Sequence, residues 1–339
     1  PYRRQRQMCI RDSIQTGLSV GYLDQEGVVN FTDAKKVSIN FNSTIKYGQF
    51  KAGINVSANY RNYNEPHTGI SDYMQLGMRA LPVMTPYLAD GSYGRSWVVT
   101  PGQNTFNNLL SCKDGENNYK QTRIVGSAFA EYIFPYDIKY NITLGVRKVD
   151  LTRRYFQPTT YTYNPKTLEP QKMIANTTAM NAANDDINPS ISQTVNWNRS
   201  FNGKHNIAAL LGMNYEEFNA WSFSAKGQDG YLDNELTEVG LATTFLKPSS
   251  SSSKVRLLSY FGRINYDYAD RYLFEANLRY DGSSRFAKGH RWGLFPSFSA
   301  GWRIDQETFM ENTQNWLSNL KLRVSWGQLG NQSIGLFQY

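Results

Sequence analysis

A chain of 339 residues with 40% hydrophobic residues can build a large fold, but its mean hydropathy is −0.55. No run approaches the ~18 apolar residues of a spanning helix, which excludes a helical membrane protein. The formal charge of +8 is carried by Lys and Arg scattered singly among strand-like residues, with no basic stripe on a helix, so nucleic acid is not an expected partner. Aromatic residues nevertheless reach 14%, a combination that suits strands with one apolar and one polar face.

Residues 1–13 (PYRRQRQMCIRDS) are basic and lack the alternation that follows. They resemble a translated sequencing adaptor and are set aside as a non-native tail. Cys9 and Cys112 are far apart, with neither a CxxC nor a zinc spacing, so no disulfide framework follows. There is no apolar signal peptide, and the chain is expected to begin and stop mid-protein.

From Ala34 the dominant signal has period two. Val37, Ile39, Phe41, Ile45 and Tyr47 share one face, while Lys36, Ser38, Asn40, Asn42, Thr44 and Lys46 share the other. After a turn at 47–49 the pattern returns with Phe50, Ala52, Ile54, Val56, Ala58 and Tyr60, which predicts a hairpin. Further hairpins are predicted for 120–134 with 137–149, 187–201 with 204–219 across Asn202-Gly203, and 255–268 with 271–281 across Ala269-Asp270.

In the clearest strand, Tyr272, Phe274, Ala276, Leu278 and Tyr280 oppose Arg271, Glu275, Asn277 and Arg279; next, Trp292, Leu294, Phe298, Ala300 and Trp302 share a face. Ten residues at ~3.3 Å, tilted by ~40°, cross about 25 Å, the height of the apolar band between the aromatic girdles of an outer-membrane barrel. Tyr272, Tyr280, Trp292 and Trp302 are therefore predicted as lipid-facing girdle residues. A soluble sandwich gives no reason for rings to gather at strand ends.

Tight turns alternate with long excursions at about 62–119, 150–186 and 220–254, the short periplasmic and long extracellular connections of such barrels. The link at 305–317 is long on the periplasmic side and is expected to hold a short helix. Ser71–Ala80 reads as an amphipathic helix capping the mouth, followed by Pro82 and Pro86, and Ser249–Ser253 as a flexible loop end.

Catalysis has no evident home. His67, His205 and His290 are isolated, and no HExxH, GxSxG, P-loop or paired-carboxylate spacing occurs. Asp185-Asp186 and Asp229/Asp233/Glu235 lack the spacing of a calcium loop, so neither metal nor cofactor is expected. Cys112 reads as an ordinary loop thiol. The excursions contain Tyr93, Trp97, Trp221 and Tyr231, whose flat faces suit stacking on a sugar or packing on a partner; anchoring the loops to each other or sitting at the outer membrane interface are the alternatives.

The segments LLSYFGRINYDYADRYLFEANLRYDGSSRF (257–286), RWGLFPSFSAGWRI (291–304) and LSNLKLRVSWGQLGNQ (317–332) resemble the barrel of SusC/RagA-like TonB-dependent transporters of Bacteroidetes, as do 18–29, 117–132 and 204–217. The resemblance implies an all-β, antiparallel, up-and-down transmembrane β-barrel over 14–339. About eleven strands, roughly half of a 22-stranded barrel, are present here. It also implies a plug domain in the lumen, energy from the TonB complex through a missing N-terminal region, a SusD-like lipoprotein lid, and import of oligosaccharides or peptides. On that reading Arg263, Asn265, Arg279, Arg303 and Arg323 face the lumen and the plug. A soluble or surface-attached all-β carbohydrate-binding protein and a passive porin stand as alternatives. Resequencing the source gene across codons 1–20 checks the tail: the native gene is expected not to encode RRQRQMCIRDS, and finding it in frame would return those residues to the protein.

Overall fold

The structure is a computed structural model and describes residues 6–11, 13–29, 31–79, 86–94, 115–164, 166–174, 176–233, 235–313 and 316–335. Its strands are β1 (Arg6–Arg11), β2 (Ile14–Glu26), β3 (Asp33–Tyr47), β4 (Phe50–Asn64), β5 (Glu116–Phe134) and β6 (Ile138–Gln157). A small pair, β7 (Thr160–Tyr163) and β8 (Pro170–Ile174), precedes β9 (Thr178–Phe201), β10 (His205–Gln228), β11 (Thr244–Tyr268), β12 (Tyr272–Ser283), β13 (Trp292–Arg303) and β14 (Lys321–Gly327). Apart from β7 and β8, which form their own two-stranded sheet, the strands lie in chain order in one antiparallel sheet that does not close. Its first strand, β1, falls within the tail set aside above. A helix, α1 (Ile70–Arg79), occupies the first long excursion where the sequence predicts one.

The tight turns fall where the sequence places them. At the β9–β10 turn, Asn202 and Gly203 both take left-handed backbone (φ 51° and 61°), the geometry that matches hairpin twist and that Asn-Gly tolerates. On the sheet face carrying the polar rows, a Cβ at Gly212 would come within 2.3 Å of the Phe261 ring; the phenyl lies over the bare glycine of its register partner. The link between β13 and β14 holds short helical turns at Ile304–Gln306 and Thr308–Thr313.

Register joins the apolar rows into one band. Tyr272, Phe274, Ala276 and Tyr280 are partnered on β13 by Trp302, Ala300, Phe298 and Leu294, and on β11 by Tyr268, Tyr266, Ile264 and Tyr260. The same spacing recurs across the sheet. Phe50 to Tyr60, Tyr140 to Asp150, His205 to Tyr215 and Trp302 to Trp292 each lead, over ten residues on this face, from the tight-turn side to the upper edge of the band. Lys148 is a charged residue within that span, and it sits at the upper edge, 3.4 Å from Asp150 and 4.0 Å from Asp185. Rings meet along both edges: His205 tilted against Tyr268 (5.0 Å) and Tyr268 stacked on Tyr272 (6.3 Å) below, Tyr280 stacked on Trp292 (4.7 Å) above.

Two loop expectations are corrected. The excursions at 150–186 and 220–254 shrink to 158–177 and 229–243, because β6, β9, β10 and β11 run well past the apolar band. Ser249–Ser253 is not a loop end; it lies inside β11, with Ser252 opposite Trp221 and Ser249 opposite Ser224. Above the band both faces of the sheet meet water, so the hydrophobic alternation fades while the backbone ladder continues. For β10, 24 residues long, about 80 Å of strand at ~40° tilt reaches ~60 Å, some 35 Å beyond the band.

Depth is testable at two positions on one face of β10. Leu211, 68% exposed at mid-band, should lose about 2–4 kcal/mol of folded stability in lipid when replaced by Arg, whereas Trp221→Arg should lose ~0–1 kcal/mol. Urea titration of the full-length protein in liposomes, read by heat-modifiable gel mobility, checks this; equal losses would remove the assignment of the band to the hydrocarbon.

Candidate functional site

The face opposite the apolar band is polar along its length, and it gathers the predicted interior residues. Arg263 is partnered by Asn277, Asn265 by Glu275, Arg279 by Phe261 and Phe295, Arg323 by Gly301, and Arg303 by Lys321. Tyr272, Tyr280, Trp292 and Trp302 lie on the reverse face. Arg279 meets Asp281 at 3.0 Å and covers the Phe261 ring at 5.4 Å. Asn265, Glu275, Ser299, Lys321 and Arg323 line a cavity of about 600 Å³ on this face.

At the tight-turn end, Glu307 of the 305–317 link is buried and was not singled out by sequence reasoning. It accepts hydrogen bonds from the Trp302 indole (2.9 Å) and the Tyr272 hydroxyl (2.8 Å), and pairs with Arg271 at 3.2 Å. These donors hold its carboxyl below the usual range, the Trp302 bond first. One carboxylate thus fixes two rings of the lower edge. His205, isolated in sequence, joins the same edge, its Nδ1 2.8 Å from the Tyr266 hydroxyl.

The other end is built from interlocked excursions. The Tyr163 amide donates to the Tyr93 carbonyl at 2.9 Å, joining the first excursion to β7, and Tyr93 stacks on Tyr87 at 5.6 Å. The Tyr231 ring packs edge-on against Phe156 at 5.5 Å, covering a side chain that is 1% exposed. Arg154 pairs with Glu238, and Asn176 donates to Asp229 at 2.8 Å. Trp221 belongs to β10 rather than to a loop; it lies on the band-bearing face above the band, stacked on Phe223. Asp185 and Asp186 likewise belong to β9, and among the described residues no group of His, Cys, Asp and Glu gathers at metal-binding distance. Trp97, Cys112, Pro82 and Ala80 lie outside the described residues.

Register also assembles a ladder that sequence reasoning missed. On the polar face, Arg61 lies over the Tyr63 ring at 4.3 Å, Tyr63 stacks on Tyr119 at 4.8 Å and 7°, and Arg153 contacts Tyr119 and Tyr155, both at 5.2 Å. The Arg153 Nε donates to Asn117 Oδ1 at 2.8 Å. The local signal was the Arg-x-Tyr step at 61–63 and 153–155, which points both groups to one face; partners from a third strand needed the register.

An open antiparallel sheet with an apolar band of this height, ringed by aromatics and backed by a polar face, defines the wall of an outer-membrane β-barrel. The statistical model of the family described as TonB dependent receptor-like, beta-barrel matches residues 149–338, and the chain belongs to that family. It is 27% identical to the TonB-dependent receptor SusC of Bacteroides thetaiotaomicron and 28% identical to the TonB-dependent receptor P3 of Formosa agariphila, over 94% and 96% of this chain. The chain spans about a third (32%) of each of those relatives. The RagAB peptide transporter has the same fold: TM-score 0.77 at 21% identity, over 96% of this chain and 36% of the other. The chain is thus SusC/RagA-like, a piece of an outer-membrane barrel of Bacteroidetes type.

The packing of the excursions carries a pH dependence. His67, 3% exposed, lies where a Cβ on Gly115 would come within 2.5 Å of its ring, and burial lowers its pKa from 6.5 to about 4. The neutral form is the one the fold accepts, so stability from this site is complete above pH 6.5 and declines as the pH falls toward 4. Hydrogen exchange of residues 65–79 should accelerate over that window, and His67→Gln should flatten the profile. A wild-type profile that is already flat would contradict it.

Proposed function

We propose that the protein containing this chain is a TonB-dependent importer of nutrient oligomers, oligosaccharides or peptides, across the outer membrane, working with a SusD-like lipoprotein. The observation that carries this reading is the ten-residue band on one face combined with strands that continue about 35 Å outward into knitted excursions. Closed into a barrel, a wall of that depth would surround a deep vestibule suited to oligomers. Family membership and the likeness to SusC support the energised mode.

In this reading outer-membrane lipid covers the apolar band. The row at Arg263, Asn265, Arg279, Arg303 and Arg323 faces a plug domain, which makes contact with the TonB complex. Tyr93 and Trp97 are assigned to ligand contact from their sequence position in the first excursion; Tyr231 packs on Phe156, and Trp221 is offered to a partner outside the wall. The relatives are receptors, and the protein is read as a carrier rather than an enzyme. The tail at 1–13 is no part of it, and 14–339 is barrel.

Uptake of a labelled oligomer by cells carrying the full-length gene should be lost on deletion of tonB, and the full-length protein should copurify with a lipoprotein encoded beside it. Uptake that persists without TonB, through a barrel whose gene encodes no plug, would replace import with passive diffusion.

A further inference from the structure

The two halves of the polar face differ in charge. Toward β14, arginines have carboxylates at hand: Arg279 beside Asp281, Arg303 at 4.0 Å from Asp305, with Glu275 in the neighbouring cavity. Toward β3, at the outer end of the face, Lys36, Arg61 and Arg123 line a cavity of about 590 Å³ that has no carboxylate in its lining. None of the three forms an ion pair with a described residue. Lys36 and Arg61 are also direct register partners. Like charges facing each other across an antiparallel pair oppose folding; the same face also carries Lys46 opposite Lys51 and Arg303 opposite Lys321, and what sets Lys36 and Arg61 apart is the carboxylate-free cavity they share with Arg123. An unrelieved cationic pair beside an open cavity is an arrangement that a bound anion stabilises.

The ladder above it adds direction. A guanidinium lying flat on a tyrosine ring keeps its in-plane N–H donors free for a carboxylate or sulfate, and the ring holds it in place so that little rotamer freedom is lost on binding. Arg61 lies 4.3 Å over the Tyr63 ring, and Arg153 lies 5.2 Å from the Tyr119 and Tyr155 rings with its Nε donated to Asn117 and its terminal nitrogens left for a ligand. Arg61 and Arg123 stand at the height of Tyr60 and Thr122, the upper edge of the band, and Tyr63, Tyr119 and Arg153 lie further out, so the patch faces the side from which substrate arrives. Beside the cations the lining includes Gln25, Ser57, Asn59 and Gln121, groups that match sugar hydroxyls, together with the apolar Leu23, Ala34 and Val125.

We propose that this patch binds the anionic groups of the imported oligomer, so that the substrate is an oligosaccharide bearing carboxylate or sulfate groups. The assignment rests on the import reading for its physiological meaning, but its binding chemistry is independent of TonB. The test uses the full-length transporter purified in detergent, with calorimetric titration of hexagalacturonate, a sulfated hexasaccharide, neutral maltohexaose and hexaglutamate at 50 and 300 mM NaCl. One of the two anionic sugars is expected to bind, to weaken at least tenfold at the higher salt, and to weaken at least tenfold in the Arg61→Gln/Arg123→Gln variant, with maltohexaose showing neither effect. Should that variant fail to fold, Lys36→Gln, which removes the opposed charge, is expected to keep the melting temperature and weaken the anionic sugar at least threefold. The proposal is overturned if neither anionic sugar binds, if maltohexaose or hexaglutamate binds equally well, or if the folded variants bind as wild type does. Anion binding that survives in a protein whose uptake ignores TonB would remove the import reading alone; TonB-dependent uptake with no anion preference would remove this one alone.

Discussion

Hydrocarbon offers no hydrogen bonds, so every backbone N–H and C=O that enters it must find a partner within the protein. The rest of this structure depends on that constraint. It forces the strands into one continuous antiparallel ladder and leaves side chains to alternate freely between two solvents. An apolar row then costs nothing on the lipid side, and a polar row costs nothing on the other. The open edge at β14 is the same constraint in reverse: a row of unpaired backbone groups that further strands of a closed barrel would satisfy.

Once the ladder exists, it outlasts its cause. β9, β10 and β11 carry their register far above the apolar band, through Asp185 and Asp186 on one strand and five serines on another. There the sheet is held by backbone pairing and by cross-strand polar contacts such as Ser224 with Ser249 (3.1 Å). The extension gives the excursions a rigid base, so that Tyr93, Phe156 and Tyr231 lock three of them together without a deep core. Few described apolar side chains are fully buried, as expected of a wall one sheet thick whose apolar surface is turned to lipid.

Charges follow the same geometry. On the band face Arg199 sits at the lower edge over the Phe201 ring, and at the upper edge charges include the pairs Lys35 with Asp24 and Arg256 with Glu217. Exposed pairs of this kind add little to stability; their place marks where headgroups begin. On the polar face the positions are free of lipid, and an uncompensated cluster such as Lys36, Arg61 and Arg123 is tolerated because water solvates it until a ligand does.

Hairpin pairing, the tight turns, the residues that share a face and the ten-residue interval from Trp292 to Trp302 are all legible in the chain, because each is a local consequence of period-two geometry and of turn residues such as Asn202-Gly203. So are α1 and the irregular 305–317 link. Strand ends above the band were illegible, since alternation vanishes when both faces are wet, and Trp221 and Ser249–Ser253 therefore read as loop. Which charges and rings become neighbours is settled by strand register and loop closure. Lys36 meets Arg61, Tyr63 meets Tyr119 and Glu307 ties Trp302 to Tyr272 through register and loop closure, and those bring together residues whose separation in the chain leaves no periodic trace.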